Sequence, residues 1–482
     1  MTALVRWFAV WILLLLPAAA AASNLEFSLH KLESEQAHPT LLVFGGIQGD
    51  EPGGFNAASL LVTHYEIQKG SVWVVPNLNF VSIVRKSRGV HGDLNRKFSD
   101  IEESDPEYAT IQKIKSLILS KPVEAVLNLH DGSGFYRHTY QDALHSPHRW
   151  GQSIIIDQER LEKANGPAVE LEQIAASIAN EVNQALLSEE HAYRVKNTRT
   201  RDGNIEMSKT LTYFAVCNKK AAFGLEASKS FPTHVRTYYH LLAMESFMRR
   251  MGIRFHRRFP LGISGVKEAI DKNVQLAFYD HKIFLDVWNA RNRLRYLPLK
   301  KNAPLEFTPS NPLIALVASD QAIGIFHGNR RVTNLYPQYF DYDSSIEGIS
   351  IHIDGHPRQV DFGEVVRVDR SFRITPRMGY RVNVIGFRKE GPGGEAGIEI
   401  HHEDIEKRFS IDTDGSLFRV EVYRQDRFSG MVLVHFDKEA ASLGRTASGK
   451  SFPFASHPQA SPTGPTRLRS LEPRGESSVF GR

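Results

Sequence analysis

An apolar run, Thr40 to Phe44, breaks on Gly45-Gly46-Ile47-Gln48-Gly49-Asp50-Glu51-Pro52 and gives way to a helix-like stretch from Gly53 to Tyr65. Glycine reaches backbone conformations that other residues resist, so this stretch reads as a strand-to-helix turn. Strand-like runs recur at Ser71 to Val75, Val123 to Leu129 and Phe223 to Leu225. Helix-like stretches at Glu107 to Leu119 and Gly166 to Leu187 lie between them, and His234 to Met251 reads as a closing helix. That alternation predicts an α/β domain, with a sheet flanked by helices.

Three later segments answer the turn. They are Arg88 followed by Asp93-Leu94-Asn95-Arg96, then Asn128-Leu129-His130-Asp131-Gly132-Ser133-Gly134, then Phe223-Gly224-Leu225-Glu226. In this order they resemble the signature of the zinc carboxypeptidases, and the Gln-x-x-Glu form of the first element is similar to the periplasmic D,L-carboxypeptidases that set cell shape. The resemblance runs from about Ser23 to Gly252. It implies a carboxypeptidase-like mixed sheet, one Zn2+ ion held by Gln48, Glu51 and His130, and Glu226 as general base. It also implies Arg88 at the reacting carbonyl, and Asn95 with Arg96 on the substrate carboxylate.

Elementary chemistry agrees with these assignments. A catalytic zinc keeps three protein ligands and leaves a position open, which lowers the pKa of a bound water to roughly 7. The apolar stretch to Leu129 reads as a buried strand, with His130 at its carboxyl end, where open α/β sheets place ligands. Glutamine stands where the family has histidine. Its amide oxygen is neutral like imidazole but a poorer zinc donor, so metal affinity is expected to fall while Lewis acidity is kept or raised. Amide hydrolysis also needs a base to move a proton from water to the leaving amine, and a cation facing the developing oxyanion. A planar guanidinium is the best partner for a terminal carboxylate.

Taken singly, each residue has a plainer reading as solvated surface or ordinary structure. Only the ordered set carries the assignment. Trp150, in Trp150-Gly151-Gln152-Ser153-Ile154-Ile155-Ile156-Asp157, reads as a pocket wall followed by a strand, and equally as a structural tryptophan. The polar loop Lys196 to Thr212 carries Thr212 beside Tyr213, and either is a candidate to line the pocket. The implied function is removal of terminal meso-diaminopimelate from peptidoglycan tripeptide stems, leaving dipeptides. Two alternatives stay open: an acyl-amino-acid amidohydrolase on the same fold, and an inactive scaffold that binds wall peptides. Glu226, Arg88 and Arg96 argue against the scaffold, since a binder needs no general base.

Composition sets the remaining bounds. The chain has 482 residues, too many for one ordinary core, and its net charge of +5 suits an anionic wall polymer. No basic patch is interleaved with stacking aromatics, which argues against nucleic acid. Arg6, the apolar stretch Trp7 to Leu16 and the small residues to Ala22 read as a cleavable secretory leader over 1–22. A periplasmic protein with no stable membrane span after cleavage is the consequence. Cys217, the only cysteine, cannot form an internal bridge, and its β-prone surroundings predict a buried structural thiol.

With the catalytic domain at 23–253, the texture changes after Arg254. Short strands at Ile283 to Val287, Leu313 to Ser319, Gly348 to Ile353 and Phe418 to Tyr423 predict two small β-rich domains, 254–340 and 341–437. Partner docking and wall positioning are the uses open to them. Residues 438–482, rich in Ser, Pro, Gly and Arg, read as a disordered tail.

Overall fold

A computed structural model describes residues 25–163, 167–272, 274–388 and 392–437. The expected leader and tail lie outside the described residues. Among those described, no helix is long and apolar enough to cross a membrane.

The catalytic part is built on a seven-stranded sheet. Its strands run, from one edge, His30–Glu33, Ser71–Val75, Thr40–Phe44, Val123–Gly132, Ala221–Ser228, Ser153–Ile156 and Arg194–Asn197. Thr40–Phe44, Val123–Gly132 and Ala221–Ser228 pair parallel, whereas Ser153–Ile156 runs antiparallel to Ala221–Ser228. The sheet is therefore mixed, as the resemblance implied. Strands this apolar must be covered on both faces, and helices Pro52–His64, Tyr108–Leu119, Leu171–Val182 and Thr233–Arg250 bury Leu60, Ile114, Ile178 and Met244 in one core with them.

This core continues past the expected boundary at 253. Arg254–Arg257 pairs with Tyr65–Lys69, and helix Ile263–Asp271 adds Val266 and Ala269 to the same core.

One local expectation fails. Leu211–Cys217 is a helix, capped by the Thr210 side chain, and Cys217 is exposed at its end. The apolar residues Leu211, Ala215 and Val216 are buried at helical spacing, which leaves Cys217 on the outer face.

The remaining residues form β-rich layers around two cores that share one hairpin, Leu417–Arg424 with Arg427–Phe436. Leu417, Tyr423, Phe428, Met431 and Leu433 pack into the core formed with residues 274–335. Phe418, Val420, Val422, Val432 and Val434 pack into the core formed with residues 346–405. Successive strand side chains point to opposite faces, so a hairpin buried along both faces serves both layers. Phe55, Phe80 and Ile83 meet Leu313 and Ala315 where the catalytic part joins the β layers.

Candidate active site

The Gly45–Pro52 turn leaves the sheet at the end of Thr40–Phe44. Gly46 adopts φ +76°, and a Cβ on Gly49 would stand 2.1 Å from the Ser82 backbone, so both positions require glycine. Pro52 then starts the helix, with Glu51 as its cap residue. Gln48 and Glu51 are thereby turned inward and are almost fully buried.

His130 comes to them from the neighbouring strand. Its Nδ1 lies 3.2 Å from Gln48 Oε1 and 2.9 Å from Glu51 Oε2. Glu226 pairs directly with His130 across the parallel ladder and therefore projects from the same face. Burial is the main cause that pushes Glu226 up to about 8; His130 opposes it, while the Glu51 and Asp131 carboxylates add to it. For His130, burial favours the neutral ring, but the Glu51 hydrogen bond and the charges of Glu51, Glu226 and Asp93 raise it above its usual value.

Asp131 points to the opposite face and ties the site to two helices. It accepts from Gly53 N at 2.8 Å and Arg236 Nη1 at 3.0 Å, and pairs with His240 Nε2 at 3.2 Å. Burial alone would raise this carboxyl, yet His240, Arg236 and Gly53 hold it below the carboxylate range.

On the substrate side, Asp93 accepts from Gln48 Nε2 at 2.8 and 2.9 Å, from Arg88 Nε at 3.0 Å and from Asn95 N at 2.9 Å. Arg88 is half exposed, with Nη1 3.6 Å from Glu51 Oε1. Asn95 lies 3.4 Å from His130 Nε2 through Nδ2 and accepts from Leu211 N at 3.0 Å. This brings buried Thr212 to the site, 3.2 Å from the Thr210 hydroxyl. Arg96 keeps its guanidinium near the surface, 3.0 Å from its neighbour's carbonyl, Asn95 O, and 3.7 Å from Glu206. Trp150 also belongs here. A Cβ on Gly132 would stand 2.6 Å from Trp150 Cβ and 2.7 Å from Glu226 Oε2, so the ring's backbone and the base flank the same glycine.

Gln48, Glu51, Arg88, Asn95, His130 and Glu226 thus gather around one end of the central strands, with Trp150 beside Gly132, while Arg96 and Thr212 meet their own neighbours next to Asn95. Gln48, Glu51 and His130 converge at separations close to the edges of a metal tetrahedron, so this donor set fits a divalent ion. Among the described residues no three His, Cys, Asp or Glu side chains cluster as a metal triplet, because the third donor here is an amide oxygen. Lys229 lies outside the sequence motifs, yet its Nζ lies 2.9 Å from Asp50 Oδ2 and 3.4 Å from Glu51 Oε1. Asp93 and Asp131 stood inside the quoted motifs without a role, and nothing local marks which atoms they meet.

Fold and site together define a metallo-carboxypeptidase. A family model for the catalytic part of carboxypeptidases controlling helical cell shape matches residues 3–271, and one for the C-terminal domain of metallo-carboxypeptidases matches residues 342–437. The chain belongs to this family of cell-shape-controlling carboxypeptidases. Among solved structures it is similar to the apo form of the cell shape determinant protein Csd4 from Helicobacter pylori, at 40% identity and a TM-score of 0.78, over 86% of this chain and 100% of that one. The mDAP-bound form of Helicobacter pylori Csd4, described as a D,L-carboxypeptidase, matches with the same identity and TM-score over 85% and 100%. Its tripeptide-bound form matches at 40% identity and a TM-score of 0.77, over 86% and 100%. A comparison with curated protein sequences gives no match.

Proposed function

We propose that this carboxypeptidase is a periplasmic, zinc-dependent enzyme that removes meso-diaminopimelate from the end of peptidoglycan tripeptide stems. The observation that carries the reading is the convergence of Gln48 Oε1, Glu51 Oε2 and His130 Nδ1 beside Glu226, with Arg88 at the rim. The tripeptide-bound and mDAP-bound structures of the Helicobacter pylori relative support the substrate class. A leader-like segment at 1–22 supports the compartment.

Gln48, Glu51 and His130 would hold the ion, which when bound supplies Lewis acidity to the substrate carbonyl and an acidified water. Glu226 takes the proton of the attacking water and hands it to the leaving amine. Burial first, then the neighbouring Glu51 and Asp131 carboxylates, help it to hold a proton, as that second transfer requires. Arg88 faces the developing oxyanion, while Asn95 and Arg96 receive the terminal carboxylate. Trp150 and Thr212 shape the space beside the scissile bond. The β-rich part would dock wall components or partner proteins.

Incubating the protein, metal-free and zinc-loaded, with defined tripeptide and pentapeptide muropeptides, followed by mass spectrometry, tests this. Zinc-dependent loss of one residue from the tripeptide alone is the expected result. No cleavage at full zinc occupancy would overturn it.

A further inference from the structure

We propose that Lys196 is the positioning residue of the substrate wall: its ammonium, wedged between Tyr136 and Trp150, holds Trp150 beside Glu226. The inference rests on the carboxypeptidase reading above and adds a residue to it.

Lys196 lies on the edge strand Arg194–Asn197, which runs parallel to Ser153–Ile156. Its Nζ stands 4.4 Å from the ring centroids of both Tyr136 and Trp150. The same nitrogen donates to Pro147 O at 2.6 Å and Arg149 O at 3.1 Å. One cation therefore gathers two carbonyls and two ring faces from a single loop, residues 136–150. A lysine ordinarily leaves its head in water, so giving up hydration for these four contacts is a commitment that an exposed strand position does not need. The side chain is partly buried, and that burial brings Lys196 down to about 8 against the raising effect of the Glu226 carboxylate. The lysine is thus within electrostatic reach of the base.

What this ammonium fixes matters because of Gly132. Trp150 and Glu226 both crowd that glycine, so the tryptophan's position sets the space left beside the base. The strand carries Lys196 and the loop carries Trp150, and the direct links of Trp150 to the sheet are the backbone bonds from Trp150 N to Ser133 O and from Ser153 Oγ to Trp150 O. Those bonds fix the main chain, and the lysine fixes the ring.

The test uses the full chain with K196M, K196R, W150A and the K196M/W150A double variant. On the tripeptide, K196M is expected to raise KM roughly tenfold with a smaller change in kcat, since a desolvated cation–π pair is worth about that factor. K196R should recover most of the loss. In the W150A background K196M should add nothing further, because both changes remove the same wall. Acrylamide quenching of Trp150, taken as the difference between each lysine form and its W150F counterpart, should rise in K196M without any substrate present. An unchanged KM in K196M, additive effects in the double variant, or unchanged quenching would overturn the proposal. If the wild-type protein leaves the tripeptide intact, the carboxypeptidase reading fails, and the quenching measurement still decides the role of Lys196.

Discussion

Gln48 donates its side-chain amide to Asp93, with Nε2 2.8 Å from Oδ1 and 2.9 Å from Oδ2. An ionised carboxylate only accepts, so the amide nitrogen must face Asp93 and Oε1 must face His130 and Glu51. Burial would raise Asp93, but Gln48, Arg88, Arg96 and the Asn95 N–H keep it below the usual carboxylate range. The glutamine is therefore presented as an oxygen donor, in the way a carboxylate orients a ligating histidine.

Asp93→Asn removes that orientation, because an asparagine can itself donate and allows the Gln48 amide to turn over. Zinc affinity, measured by competition with a chromogenic chelator, is expected to fall about 10- to 100-fold. Unchanged affinity would remove Asp93 from the metal site.

Gln48→His replaces a weak amide donor by imidazole. The variant is expected to bind zinc more tightly in the same competition assay, with no gain in kcat, since the poorer donor leaves the ion more electrophilic. A tenfold rise in kcat would contradict that account.

Glu226→Gln keeps the shape of the side chain and removes the base. The expected loss in kcat is roughly 10²- to 10⁴-fold, with tripeptide binding retained by calorimetry. Near-normal turnover would exclude Glu226 as the proton carrier.

Asp131→Ala strands partly buried Arg236 and fully buried His240 and leaves Gly53 N without its acceptor. Urea unfolding should show a loss of about 3–5 kcal/mol, the cost of leaving a buried charge unpaired. A loss below 1 kcal/mol would mean that the helix N-terminus and Thr233–Arg250 are held elsewhere.

His327 supplies an acid-sensitive term. Burial first, then Arg330, lowers its imidazole from 6.5 to about 4. The unfolded chain takes up this proton near pH 6.5 and the folded chain does not, so the stabilisation is full above pH 6.5 and is lost as pH falls towards 4. His327→Phe, at a ring whose Nε2 has no hydrogen-bond partner, should flatten that part of the stability profile by up to about 3 kcal/mol at pH 4. Identical acid limbs in thermal melts of the two proteins would exclude His327 as a source.

Much of the catalytic part was legible in the sequence because its signals are local. Glycines force the Gly45–Pro52 turn, an apolar run makes Val123–Gly132 a buried strand, and ordered motifs name Gln48, Glu51, His130 and Glu226. The helix at Leu211–Cys217 was misread because short apolar runs suit strand and helix alike, and only packing beside Asn95 separates them. Likewise the hairpin Leu417–Phe436 is buried on both faces, and periodicity does not say which layers those faces meet. The sequence by itself determined which residue types are present for metal binding, proton transfer and carboxylate recognition, and that two strands carry His130 and Glu226. Tertiary structure alone decided which way the Gln48 amide points, what anchors Asp131 and where the Lys196 ammonium lies. Each of those rests on contacts between residues more than 40 positions apart, set by sheet register and helix packing rather than by local propensity.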